Sequence, residues 1–121
     1  MDIHRIFAGL GGLFGAAGIA AYASAAHGDS GHMATIAPIL LSHAPAFLAL
    51  SILAKASRAA YGGGLVLVLG LLFFIGDLVS RDLTGDRLFA FAAPLGGSLL
   101  ILGWIAIAAT AVRALDFSSR R

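Results

Sequence analysis

The chain has 121 residues, of which 60% are hydrophobic and only 12% charged, and its mean hydropathy is +0.96. Soluble domains carry about a quarter charged residues, so this composition excludes an ordinary water-soluble fold. The dominance of apolar residues at a net charge of +2 excludes disorder as well. There is no cysteine and no glutamate; every acid is one of six aspartates, Asp2, Asp29, Asp77, Asp82, Asp86 and Asp116. Disulfides, thiolate chemistry and cysteine-held metals are thereby removed. A pI near 9.7 does not signal nucleic acid, because the eight basic residues punctuate apolar runs instead of clustering on one face.

Four charge-poor runs follow one another, at about residues 6–26, 33–54, 61–80 and 91–112. Each is long enough to cross a hydrocarbon core of about 30 Å as a helix rising 1.5 Å per residue. Strands are excluded, since an open sheet leaves its edge groups unsatisfied in lipid. The spacing predicts a single domain over residues 1–121: an all-α integral membrane four-helix bundle, antiparallel up-down-up-down, with short loops joining neighbours. Arg5, Lys55, Arg58, Arg113, Arg120 and Arg121 fall on one side of that topology, and only Arg81 and Arg87 on the other. Lysine and arginine stay on the cytoplasmic side, so both termini are expected in the cytoplasm of a bacterial inner membrane. Ala23-Ser24-Ala25 resembles a signal-peptidase site, but the length and glycine spacing of the first run favour a span.

Small residues let membrane helices approach closely. Gly11, Gly12 and Gly15 in the first helix, Gly76 in the third, and Gly96 and Gly97 in the fourth are the expected packing positions. Ionisable groups inside a span usually face the bundle interior, and His43, Asp77 and Arg81 are the candidates. Asp77 and Arg81 stand four residues apart on one helix face, in the order that favours an ion pair. The depth of His43 depends on the start of the second helix: a start at Pro38 brings it level with Asp77, and a start at Met33 sinks it about 15 Å. Pro45 is expected to loosen that helix, with Ser42 satisfying a freed backbone group. The expectation is an outward-facing polar pocket of His43, Asp77 and Arg81, with His27, Ser42 and Trp104 at its rim. His27, Asp29 and His32 are metal-ligand types without a metal motif's spacing, and they read as loop residues.

These stretches together resemble the YgdD-like family of small four-span bacterial membrane proteins, a family of unknown function with eukaryotic transmembrane relatives. Ala26-His27-Gly28, His43-Ala44, Phe74-Ile75-Gly76-Asp77-Leu78 leading to Leu83-Thr84-Gly85, Pro94-Leu95-Gly96-Gly97 and Gly103-Trp104 carry the likeness, in order along nearly the whole chain. Asp77 departs from it, standing where many members have serine. The resemblance implies a four-helix membrane protein and supplies no reaction. The expected function is a non-enzymatic binding or accessory module without metal or cofactor. Its expected partners are the bilayer, a bound lipid or small amphiphile, and a second copy or a larger membrane complex. The competing expectation is a proton-linked transporter or channel using Asp77 and His43.

Overall fold

The computed structural model describes residues 2–28 and 31–119, the last seven of these in their backbone only. Among the described residues four helices follow in order: α1 (Ile3–Ala26), α2 (Met33–Leu53), α3 (Arg58–Thr84) and α4 (Ala92–Ser119). All four are long and apolar enough to cross a membrane. They form an antiparallel all-α bundle. One end, here the distal end, carries the α1–α2 and α3–α4 loops; the other carries the N-terminus and the α2–α3 turn.

Local chemistry fixes the helix ends. Gly28 and Gly85 adopt left-handed backbone angles of +85° and +80°, which stop α1 and α3 at the distal end. Ser57 caps α3 at the opposite end, its hydroxyl accepting the Ala60 N–H at 3.2 Å. In α2 the helix runs through both Pro38 and Pro45. Each lacks the N–H that would complete its turn, and each is exposed on the outer face of the bundle.

The bundle is two tight hairpins joined along a looser seam. In α1–α2, a Cβ on Gly11 would lie 2.9 Å from the Ala44 carbonyl, and one on Gly18 2.6 Å from the Leu41 side chain. In α3–α4, Gly63 faces Gly103 and Gly70 faces Gly96, and a Cβ at Gly70 would stand 2.9 Å from the Gly96 carbonyl. Backbones approach this closely because lipid supplies no hydrophobic drive between helices, so contact itself must hold them. The packing stripe differs in detail from the expected one. A side chain on Gly12 would meet nothing within 4 Å, because Gly12 lies about 100° around the helix from Gly11 and faces outward. Gly15 and Gly97 make only ordinary contacts, with Ala44 and Phe74, and Gly76 faces Leu88 of the α3–α4 loop.

The seam between hairpins is filled by side chains. Phe7, Phe47, Leu50 and Leu67 are fully buried there. The rings of Phe7 and Phe14 meet Phe47 edge to face at 5.5 and 5.3 Å. Gly64 makes room for the Phe7 ring, which a Cβ would approach to 2.6 Å. Leu13, Ile19, Ile52, Leu72, Ile101 and Ile105 are all more than half exposed on the outside, where a bilayer would cover them.

Candidate functional site

Among the described residues, three clusters of polar contacts link different parts of the fold. The first is at the distal end of α3. Asp77 is completely buried, and its Oδ2 lies 2.7 Å from the Arg81 guanidinium one turn on. Its Oδ1 accepts the backbone N–H of Leu88 at 2.8 Å. The α3–α4 loop therefore folds back onto the helix that precedes it. Ser80 donates to the Asp86 carbonyl at 2.9 Å, and Phe73 meets Phe89 edge to face at 5.6 Å, fastening the same loop. The carboxylate thus has a charged partner and a backbone donor, the arrangement that makes burial of an acid tolerable.

The second cluster centres on His43. Because α2 begins at Met33, ten residues separate His43 from the distal end, about 15 Å at helical rise. The Trp104 indole N–H donates to His43 Nε2 at 3.1 Å. With Nε2 accepting, the ring proton sits on Nδ1, which points at the Ile39 carbonyl at 2.8 Å. Ser42 donates to that same carbonyl at 2.9 Å, so it does not serve the Leu41 carbonyl that Pro45 leaves free. The structure brings Asp77 and Arg81 together, and it brings His43, Ser42 and Trp104 together. It does not join the two groups: their hydrogen bonds go to different partners, as the deeper start of α2 dictates.

The third cluster was not evident from spacing. Asp82 lies one residue beyond Arg81 and receives the backbone N–H of His32 at 2.8 Å and the His32 ring at 2.5 Å. Gly31 fits beneath the carboxylate, where a Cβ would lie 2.6 Å from Asp82 Oδ2. Asp82 thereby ties the α1–α2 loop to the end of α3. The available signal was topological, since both loops belong to the same end of the bundle. His27 closes α1 and is exposed. Asp29, the third member of the loop trio, lies outside the described residues.

Between the hairpins runs an apolar groove of about 320 Å³. Leu10 and Phe14 of α1, Leu40 of α2, and Val68, Leu72 and Val79 of α3 line it. A second hollow, about 340 Å³, lies at the α2–α3 turn beside Lys55, Arg58 and Tyr61.

No solved structure matches the chain. Residues 12–97 match the family described as Protein of unknown function (DUF423), a match that runs from α1 into the start of α4 and takes in all three polar clusters except Trp104. With most of its length covered by that match, the chain is a four-helix membrane-type member of the DUF423 family of proteins of unknown function.

Proposed function

We propose that this protein is a non-enzymatic binding or accessory module of a bacterial inner membrane, with both termini in the cytoplasm and its polar distal end facing outward. The ligand class is a lipid or small amphiphile. One observation carries the reading over a proton-linked transporter: Asp77 spends both carboxylate oxygens on Arg81 and the Leu88 N–H, closing a loop. A transported proton needs a carboxylate that is alternately open to each side, and this one is committed to the fold. His43 is likewise occupied at both ring nitrogens.

The test is a proteoliposome enclosing a pH-sensitive dye. An imposed pH gradient should decay as slowly as in protein-free vesicles, while the gently extracted protein retains an amphiphile in native mass spectrometry. Collapse of the gradient by wild type but not by Asp77→Asn would overturn the reading in favour of transport.

A further inference from the structure

We propose that the hollow at the α2–α3 turn binds a phosphate group of net negative charge, with Lys55 and Arg58 as its cations. This deepens the binding-module reading above, on which it rests, by giving the amphiphile's headgroup a place and a charge.

The turn builds the hollow by itself. α2 ends at Leu53 and α3 begins at Arg58, so a short reversal brings two cations and two hydroxyls together: Lys55, Ser57, Arg58 and Tyr61 all line it. No carboxylate does. The two ion pairs among the described residues, His32–Asp82 and Arg81–Asp77, both lie at the distal end. Arg87, also distal, donates to the Ala90 carbonyl. The distal arginines are thus committed to the fold, whereas Lys55 and Arg58 are exposed and have no ion-pair partner among the described residues. The preference of basic residues for the cytoplasmic side explains the sign of this end. It does not require that two unpaired cations share one hollow with two hydroxyls.

Phosphate matches that set of donors. A lysine ammonium is a point charge, and an arginine guanidinium is a fork that grips two oxygens at once. The Ser57 hydroxyl accepts the Ala60 N–H, which leaves its own proton to donate, and the Tyr61 hydroxyl adds another donor. The positive end of the α3 dipole lies at the same turn. A headgroup that carries its own ammonium already neutralises its phosphate, so the site should select headgroups without one. The flanks of the hollow suit a lipid. Leu53 before the turn and Leu65 one turn past Tyr61 are exposed, and the chains of a lipid whose phosphate sits in the hollow would lie against them. A free phosphate would use the same donors without those contacts.

The experiment is native mass spectrometry of the full chain, released from nanodiscs of equal palmitoyl-oleoyl phosphatidylglycerol and phosphatidylcholine and, separately, from detergent containing inorganic phosphate. Nanodiscs have no sidedness, so the result does not depend on orientation. Wild type should retain phosphatidylglycerol about tenfold over phosphatidylcholine. Lys55→Gln/Arg58→Gln should abolish that preference, and Arg5→Gln, an exposed arginine of the same end outside the hollow, should keep it. Melting in detergent checks that the double variant is folded. If it is not, Tyr61→Phe, which leaves every charge in place, should weaken the preference about threefold. A phosphate adduct that depends on Lys55 and Arg58, without any lipid preference, would assign the site to free phosphate instead of a headgroup. Equal loss in Arg5→Gln would reduce the effect to the general attraction of a basic end and overturn the site. So would an unchanged preference in the double variant, or in Tyr61→Phe where the double variant does not fold, or lipid retained without preference and without a phosphate adduct. Each of these leaves the binding reading intact, whereas wild type that retains neither lipid nor phosphate would overturn both.

Discussion

Asp77 is placed seven residues before the end of α3, about 10 Å in from that end, at a depth where a lone carboxylate would be expensive. Its cost is offset by Arg81, and the pair gives a sharp expectation. Asp77→Asn keeps a carbonyl for the Leu88 N–H but removes the charge, and should lower stability by about 1–3 kcal/mol. Breaking a fully buried pair costs about 3–5 kcal/mol, and the smaller figure applies because the Arg81 side chain is 29% exposed. Arg81→Gln should cost more than Asp77→Asn, since it strands the completely buried member. The double variant should recover part of the loss. Unfolding by graded addition of dodecyl sulfate to micelles, run on all four proteins, measures the coupling; strictly additive losses would mean the pair contributes nothing. The pair was legible because i and i+4 share a helix face. The Leu88 bond was not, since a backbone donor in a loop has no side-chain signature. Trp104 was legible as a residue at the rim of a pocket with His43, but not as its hydrogen-bond donor: the two are 61 residues apart, and spacing does not say which helices are neighbours.

The hairpins depend on which glycines face which helix. A Cβ at Gly96 would collide with the Phe74 backbone nitrogen and the Gly70 carbonyl, and neither can yield without moving a helix. Gly96→Ala should therefore destabilise by about 1–3 kcal/mol, the usual cost of overpacking. Gly12→Ala meets open space and should stabilise by up to about 1 kcal/mol through helix propensity alone. The same detergent titration checks both, and equal effects would contradict the assigned packing faces. Four membrane helices were legible from run length and charge. The contact stripe was not, because α1 is small-residue rich all around: Gly11 and Gly15 face Ala44 while Gly9 and Gly12 face outward, and only the partner decides which stripe is used.

At the scale of the whole molecule, two close-packed hairpins meet along a seam of side chains, and the seam carries two histidine-centred bonds, His43 to Trp104 and His32 to Asp82. The distal bond should control how far the hairpins separate at that end. The chain has no cysteine, so spin labels can be placed on a clean background. Labels at Tyr22 and Leu83, both exposed near the distal end, should show a broader distance distribution when Asp82 becomes Ala. Labels at Ile6 and Tyr61, near the opposite end, should be unaffected. Pulsed electron spin resonance reads both; identical distributions at the distal pair would show that Asp82 does not hold the seam. Neither bond was legible, because a linear pattern of hydropathy does not encode which helix meets which, or which loop meets which helix end.

The bond from Leu88 to Asp77 also sets an order of events during synthesis. Asp77 is made with its ion-pair partner only four residues behind it, but its second oxygen waits for a donor eleven residues later. The carboxylate therefore enters the bilayer half satisfied and is completed when the chain turns toward α4, so the second hairpin closes on its own charge. The loop of the first hairpin is tied to the second hairpin instead, through Asp82 of α3. The first hairpin's glycine contacts can form as soon as α2 is inserted, yet its loop gains the Asp82 anchor only when the end of α3 arrives. The amino-terminal half is thus built first and fastened last.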